Sequence, residues 1–180
     1  MSEFQWMGER IRLATPDLDA DAPIYQSWCY NTAFKRLSSA AASTIVAKEQ
    51  LEGWMQGQAE DTLDWMIHTL EDGRLVGRVG LEDFGAFPCN GWLSIEIGDP
   101  KDWNCGYGTE ATRLVLRHGF AFLNLQRISL AVAAFNERAI HVYEKFGFVE
   151  EGRQREALDR DGKRWDLVLM GLLRDDWVEA

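Results

Sequence analysis

Apolar residues recur along this chain with two different spacings, which predict strands and helices in a mixed order. Alternation of apolar and polar positions predicts strands at residues 11–13, 64–70, 74–84, 92–97, 128–135, 150–158 and 165–172. Apolar positions three and four residues apart predict helices at 47–60, 109–125 and 137–146, with helical spacing also across 17–37. Residues 71–73, Glu-Asp-Gly, are a hairpin turn signal between strands 64–70 and 74–84. The order of elements predicts an α/β (α+β) fold with antiparallel hairpins and one β-α-β unit.

Two of these elements are regular enough to assign side chains to faces. Strand 92–97 is expected to place one set of side chains on one face, Leu93, Ile95 and Ile97, and a second set on the other, Trp92, Ser94 and Glu96. Helix 109–125 is expected to bury a stripe formed by Ala111, Leu114, Val115, Phe122 and Leu125. Gly147 is predicted to cap the end of helix 137–146.

Composition narrows the class of protein. The chain has 180 residues, 46% hydrophobic and 27% charged, and no linker divides it, so a single domain over residues 1–180 is predicted. The longest run without a charged side chain has 13 residues, whereas a membrane-spanning helix needs about 20. The first residues lack the basic and apolar regions of a secretory signal. We therefore expect a cytoplasmic protein without a membrane partner.

Charge and cysteine content exclude further classes. The formal net charge is −10, and no dense basic run is present, which argues against a nucleic-acid partner. The acidity suits a cationic partner, or it serves solubility alone. The three cysteines, Cys29, Cys89 and Cys105, are odd in number and far apart, which favours reduced thiols. No metal site is predicted, because no C-x-x-C pair or ligand-spaced histidine is present.

The first candidate site lies where strand 92–97 leads through a loop into the long helix. Gly106 and Gly108 precede the predicted helix start at Thr109. Glycines let the backbone approach a ligand closely, and the free N–H groups of a helix N-terminus favour an anion. The passage therefore fits a phosphate-binding loop, although a plain turn has the same composition. It lacks the Gly-Lys-Ser/Thr of a Walker loop, and it follows several strands rather than the first.

The second candidate site lies at the start of helix 137–146. Asn136 stands at the strand-to-helix junction, where its amide could cap the helix or bind a ligand. Tyr143 falls in an apolar stripe at helical spacing, which suits either a core residue or an acid.

Together, the two passages resemble the GNAT acyltransferase superfamily, in the branch of bacterial ribosomal-protein N-acetyltransferases and spermidine acetyltransferases. Residues 103–111 are similar to its pyrophosphate loop, Q/R-x-x-G-x-G/A, and to the following T-E-A: Trp103, Asn104, Cys105, Gly106, Tyr107, Gly108, Thr109, Glu110 and Ala111. Residues 136–148, N-x-x-A-I-x-x-Y-E-K-F-G-F, resemble its second motif. The resemblance covers about residues 10–173 and implies the GNAT acyl-CoA N-acyltransferase fold, a mixed, mostly antiparallel sheet with a central β-α-β unit flanked by helices.

Two loop positions depart from the family pattern. Trp103 stands where the general pattern has Gln or Arg, although Trp is familiar in this branch. Cys105 stands where the branch commonly has Lys or Arg, which removes one cation facing the phosphates. Main-chain N–H groups could still hold the pyrophosphate, so weaker cofactor binding is expected.

The resemblance also implies a reaction, the transfer of an acetyl group from acetyl-CoA to a primary amine within a ternary complex. It implies that Tyr143 protonates the leaving thiolate and that residues 103–109 hold the pyrophosphate. Ile95 and Ile97 would pair through their main chain with the pantetheine arm, and Asn136 would hold that arm. Glu96 is the candidate base, directly or through water, with an ion-paired strand carboxylate as the alternative.

The acceptor side is less specified by the sequence. The resemblance implies that the early helices line it, and that region offers Trp28, Tyr30, Asn31, Phe34 and Arg36. Packing explains the aromatic residues Trp28 and Tyr30 equally well. Glu82 and Glu96 could attract a cationic amine. We expect a protein or peptide N-terminus as acceptor, with a polyamine, an antibiotic or a non-catalytic CoA-binding role as alternatives. Whether the chain forms a homodimer is left open.

Overall fold

The structure, a computed structural model, describes residues 6–38, 53, 55, 61–84 and 89–178. The described strands are β1 (Ile11–Ala14), β2 (Leu63–Thr69), β3 (Leu75–Glu82), β4 (Asn90–Ile97), β5 (Arg127–Ala133), β6 (Val149–Arg160) and β7 (Lys163–Leu173). The described α-helices are α1 (Asp21–Cys29), α2 (Thr32–Ser38), α3 (Tyr107–Ala121) and α4 (Glu137–Lys145). No helix in these ranges is both long enough and apolar enough to cross a membrane.

One sheet contains all seven strands in the order β1-β2-β3-β4-β5-β7-β6. Every neighbouring pair is antiparallel except β4 and β5, which are parallel and are connected through α3. This arrangement confirms the predicted mixed, mostly antiparallel sheet with a β-α-β unit. The predicted strand bounds agree with the observed ones to within two residues.

Side chains of a strand alternate between the two faces of the sheet, so both faces carry apolar residues, and helices cover both. One core lies between the sheet and α3, with Leu81 and Leu93 packed among Leu114 and Val115. A second, smaller cluster lies under α1 and α2 on the other face, and its buried members are Ala22, Tyr25, Trp28, Phe34, Met55, Met66 and Leu75.

Strands β4 and β5 separate after a short paired segment. Their pairing runs from Asn90 opposite Arg127 to Trp92 opposite Ser129. On its other edge β4 stays paired with β3 as far as Ile97. The main-chain N–H of Gly98 donates to the Val76 oxygen at 3.0 Å, so these two residues form a hydrogen-bonded pair. Because hydrogen-bonded and non-hydrogen-bonded pairs alternate along an antiparallel ladder, Ile95 and Ile97 do not bond to β3. The main-chain groups of Ile95 and Ile97 therefore point into the gap between β4 and β5.

The end of the long helix was predicted wrongly. Helix α3 ends at Ala121, not at Leu125, and Asn124 has the left-handed φ of +55° that reverses the chain. Phe122 is consequently 59% exposed instead of buried, and its ring stacks on His118 at 5.7 Å. Leu125 is buried, but it reaches the core from the loop that follows the helix.

Two other predicted helices have different outcomes. The helix predicted at 47–60 lies outside the described residues, apart from Gly53 and Met55, which are both helical. The helix predicted at 137–146 is observed as α4, followed by Gly147 with a φ of +96° in the predicted capping position.

Candidate active site

A pocket of about 360 Å³ opens between the starts of α3 and α4 and the end of β4 where it leaves β5. Nine of the predicted cofactor residues line it: Ile95, Ile97, Trp103, Asn104, Gly106, Tyr107, Gly108, Thr109 and Asn136. Cys105 belongs to the same loop, but it is exposed, and its thiol points to main-chain oxygens of Lys101 and Trp103. We refer to this space as the α3 pocket.

The loop that leads into α3 is fixed to the end of β4. The indole N–H of Trp103 donates to the Ile97 oxygen at 3.0 Å, and the Arg138 guanidinium lies 4.6 Å from the Trp103 ring centre. Gly106 has a φ of +84°, which turns the chain into the helix.

The first turn of α3 presents main-chain donors to the α3 pocket. The first intrahelical hydrogen bond runs from the Glu110 N–H to the Gly106 oxygen at 3.0 Å. The N–H groups of residues 107–109 precede it and have no partner within the helix. Together with the helix dipole, they make this end of the pocket suitable for an anion such as a phosphate.

Thr112, one turn further along α3, was missed by the sequence analysis. It is fully buried, it lines the α3 pocket, and its hydroxyl has no hydrogen-bond partner among the described residues. An unsatisfied buried hydroxyl costs about 1–3 kcal/mol, so a polar ligand group in the pocket would stabilise it. Its spacing of four residues from Gly108 was the signal available in the sequence.

A second pocket of about 200 Å³ lies on the α2 side of β4 and reaches the β6–β7 hairpin. Its walls include α2, β4, β5 and the hairpin, through Arg36, Leu37, Ser38, Trp92, Ser94, Ala131, Val132, Ala133, Leu158 and Leu167. We refer to it as the α2 pocket. Glu96, Asn136 and Tyr143 line both pockets, so the two spaces meet at these side chains.

Glu96 is held from the α1 side by a residue that the sequence analysis did not select. The Tyr25 hydroxyl donates to Glu96 Oε2 at 2.5 Å. Burial raises the pKa of Glu96, while this hydrogen bond and the charge of Arg78 oppose the increase. Burial and the neighbouring carboxylate raise the pKa of Tyr25 well above its ordinary value, so Tyr25 keeps its proton and remains a donor.

Tyr143 is positioned by α4 at the junction of the pockets. It is 8% exposed, and its ring lies 5.7 Å from that of Phe148. Burial raises the pKa of Tyr143 to about 12, so its hydroxyl stays protonated at neutral pH. The side chain therefore packs in the core and also lines both pockets.

Asn136 caps α4 as predicted, and it also lines both pockets. Its Oδ1 accepts a hydrogen bond from the Ala139 N–H at 3.3 Å and caps α4. The cap uses the amide oxygen and leaves the amide N–H groups as donors at the junction of the pockets.

Of the predicted acceptor residues, Arg36 lines the α2 pocket and Phe34 lines the α3 pocket. The others lie outside both pockets: Trp28, Tyr30, Asn31 and Glu82. Glu82 accepts hydrogen bonds from Arg78 at 3.0 Å and from the Ser94 hydroxyl at 2.8 Å. Ser94 lines the α2 pocket, so Glu82 contacts a lining residue without lining the pocket itself. Trp28 is buried against Tyr25, with ring centres 5.8 Å apart, and packs within the cluster under α1. Tyr30 is 59% exposed at the end of that helix.

Comparison with known proteins identifies the family of this arrangement. A family model described as an acetyltransferase (GNAT) domain matches residues 10–149. The chain is 34% identical over 104 residues to a spermidine N(1)-acetyltransferase of Vibrio cholerae, covering 58% of this chain and 60% of that protein. It is 32% identical over 108 residues to the putative ribosomal N-acetyltransferase YdaF of Bacillus subtilis, covering 60% of this chain and 58% of that protein. The chain thus matches about three fifths of the length of either relative.

A solved structure has the same fold over nearly the whole chain. The crystal structure of spermidine N-acetyltransferase from Vibrio cholerae in complex with CoA and spermine superposes with a TM-score of 0.82. The match covers 94% of this chain and 98% of the other, at 22% identity.

Proposed function

Because the chain belongs to the GNAT acetyltransferase family, we propose that it transfers the acetyl group of acetyl-CoA to a primary amine by direct attack in a ternary complex. The observation that carries this proposal is the meeting of the α3 and α2 pockets at Glu96, Asn136 and Tyr143. One pocket would hold the thioester and the other the amine, so both reactants would reach one point without an enzyme-bound intermediate.

The α3 pocket has the groups that acetyl-CoA requires. The free N–H groups of residues 107–109 would bind the pyrophosphate, and the main chain of Ile95 and Ile97 would pair with the pantetheine amides. The unsatisfied hydroxyl of Thr112 supports a polar ligand at this position. Arg138, which lines the pocket beside Trp103, would supply a cation that position 105 does not.

The junction of the pockets has groups for each proton transfer. Glu96 would remove a proton from the ammonium ion, directly or through water, to expose the nucleophilic lone pair. The main-chain N–H of Ile97 would stabilise the oxyanion that forms when the amine attacks. Tyr143, protonated because its pKa is raised to about 12, would donate to the leaving thiolate.

For the acceptor, we propose the N-terminus of a protein or peptide. Glu96 lines the α2 pocket where it meets the α3 pocket, and apolar side chains also line it, among them Leu37, Leu158 and Leu167. One carboxylate suits a single ammonium group, and the apolar walls suit the first side chain of a peptide.

A polyamine is the second candidate acceptor. On the sheet face below the α2 pocket, Arg78 contacts Asp64 and Glu82 and lies opposite Glu96, so carboxylates outnumber the buried cation. Such a face attracts a ligand with several positive charges. The similarity to the spermidine acetyltransferase of Vibrio cholerae supports the same acceptor.

The experiment that tests these proposals is a panel of amines at low and high salt. It contains peptides with basic, neutral and acidic second residues, spermidine, and a reaction without acceptor. We expect transfer to exceed hydrolysis, cationic acceptors to exceed acidic ones, and the preference to weaken with salt. Glu82→Gln should raise KM for cationic acceptors more than it lowers kcat, because it changes ground-state binding.

The possible results separate the alternatives. Transfer to peptides but not to spermidine supports the N-terminal acceptor, and the reverse result supports the polyamine. If acidic peptides react fastest, the electrostatic explanation of acceptor choice is wrong, while the acetyltransferase proposal stands. CoA binding without transfer to any amine would favour a non-catalytic CoA-binding protein.

A further inference from the structure

Two charged residues that are 100 positions apart in the sequence, Arg10 and Glu110, meet beside the loop that leads into α3. Glu110 lies in the first turn of α3 and is only 3% exposed. Its Oε1 accepts from the Arg10 main-chain N–H at 2.9 Å, and its Oε2 accepts from Arg10 Nε at 3.2 Å. The Ile11 N–H also approaches Oε1 at 3.4 Å. Glu110 therefore connects the start of β1 to the start of α3.

The guanidinium of Arg10 then reaches the loop itself. Arg10 Nη1 donates to the Cys105 main-chain oxygen at 3.0 Å. A Cβ atom added at Gly106 would lie 2.8 Å from the same nitrogen, so the guanidinium rests directly on the backbone that turns into the helix. Arg10 does not line the α3 pocket, which means that it contacts the loop from the side away from the ligand space.

We propose that Arg10 and Glu110 are positioning residues that hold residues 105–106 so that the free N–H groups of α3 stay directed into the α3 pocket. The inference rests on the proposed function, since it assigns these N–H groups to the phosphates of CoA. Position 105 carries a cysteine that does not line the pocket and whose thiol contacts the main-chain oxygens of Lys101 and Trp103. Phosphate binding then depends strongly on main-chain donors, which bind well only when their orientation is fixed.

The rival explanation is that the pair only connects β1 to α3 and stabilises the fold. The two explanations differ in which measurements change. A loop-positioning role alters the local protection of the loop and the affinity for phosphate-bearing ligands. A purely stabilising role lowers the melting temperature and leaves the affinity of the folded protein for CoA unchanged.

The test uses Arg10→Met, which removes the guanidinium and keeps an unbranched side chain. Because the Arg10 side chain is 56% exposed, its replacement should leave the protein folded. The matched control is Arg12→Met, which removes the same charge from an exposed position two residues away in β1. Arg10→Lys is a third variant, because an ammonium group cannot reproduce the fork that contacts both Glu110 and the Cys105 oxygen.

Two readouts are measured on each folded variant. The first is amide hydrogen exchange of residues 103–110 in the free protein, which needs no ligand. The second is calorimetric affinity for CoA and for pantetheine, which lacks the phosphates. We expect Arg10→Met to speed exchange of the loop and to raise the Kd for CoA about tenfold, since hydrogen bonds of a charged group are strong. Its Kd for pantetheine should stay unchanged, Arg10→Lys should be intermediate, and Arg12→Met should match the wild type.

The proposal is overturned if loop exchange and CoA affinity of Arg10→Met equal those of the wild type, or if CoA and pantetheine weaken equally. A failure of the proposed function gives a different pattern. If wild-type protein does not bind CoA while Arg10→Met still speeds loop exchange, the phosphate assignment is wrong and the contact between Arg10 and the loop remains supported. That pattern would overturn the role in CoA binding and restrict the pair to holding the loop.

Discussion

The α3 and α2 pockets differ in how far apart in the sequence their lining residues are. Most of the α3 pocket comes from residues 95–112, a continuous strand, loop and helix start, and from α4, with a smaller contribution from α2. The α2 pocket is assembled from α2, β4, β5 and the β6–β7 hairpin, whose residues span positions 36–167. A wall built from consecutive residues follows from local sequence, whereas a wall built from distant segments exists only after the sheet has formed.

The outcome for the predicted site residues follows this difference. The cofactor residues were selected from two local motifs, and all except Cys105 line the α3 pocket. The acceptor residues were selected by residue type in the expected region, and of these Arg36 lines the α2 pocket, whereas Trp28, Tyr30 and Glu82 line neither pocket. The residue that contacts Glu96 is Tyr25, which shares a helix face with Trp28 but is separated from Glu96 by 71 positions.

The largest expected effect is at Tyr143, which lines both pockets, so its substitution affects both reactants. Tyr143→Phe keeps the ring that packs near Phe148 and removes only the hydroxyl. If this hydroxyl protonates the thiolate, turnover should fall by about 10²–10⁴-fold. Both the melting temperature and its increase with CoA should change little, and initial rates with saturating substrates give the comparison.

The pH dependence of wild-type turnover provides a further check on Tyr143. The protonated hydroxyl is the active form, and a pKa raised to about 12 preserves that form as pH rises. No alkaline loss of turnover should therefore arise from Tyr143 near pH 9.

Tyr30→Phe is the matched control for Tyr143→Phe, because it removes a hydroxyl from an exposed position outside both pockets. Near-normal turnover of Tyr143→Phe would leave Tyr143 a packing role only.

The second effect should be confined to the α3 pocket. At Gly108 an added Cβ meets only side-chain carbons of Ile97 and Ile95, the nearest at 3.6 Å, so a side chain fits. Gly108→Asp places a carboxylate in the first turn of α3, where the helix dipole favours it. The free protein should stay as stable as the wild type, but its melting temperature should no longer rise with CoA, because the carboxylate repels phosphate.

Gly108→Ala is the control for this substitution. It adds the same Cβ without a charge, so most of the CoA-dependent increase in melting temperature should remain. Full stabilisation of Gly108→Asp by CoA would mean that no phosphate lies at the start of α3.

The same contrast explains how much of the fold could be predicted. Turns and helix starts depend on local residues, so the hairpin between β2 and β3 and the cap at Gly147 were predicted correctly. The end of α3 was not, because Leu125 continues the helical spacing although it is buried from the following loop. The separation of β4 from β5 has no local signal either, because β5 stays paired with β7 on its other edge from Arg127 to Ala133 and only its pairing with β4 stops at Ser129.

The smallest expected effect is confined to the α2 side and changes pH dependence more than rate. Glu96 must be ionised to accept a proton, so activity declines as pH falls through its pKa. The Tyr25 hydroxyl lowers that pKa by donating to the carboxylate, against the increase caused by burial. Tyr25→Phe removes the donor, so the pKa of Glu96 should rise, and the acidic limb of kcat should move to higher pH by about one unit. Well above that limb Glu96 is ionised in both proteins, and their rates should converge.

The wild type and Tyr25→Phe are measured with the same acceptor, so that the ionisation of the acceptor contributes equally, and CoA should stabilise both proteins to the same extent. Trp28→Phe, which alters the packing around Tyr25 and leaves its hydroxyl in place, should lower the melting temperature without moving the limb. A Tyr25→Phe variant whose rate falls equally at every pH would show that Tyr25 acts by packing alone, and the α2 side would then have no residue that tunes the base.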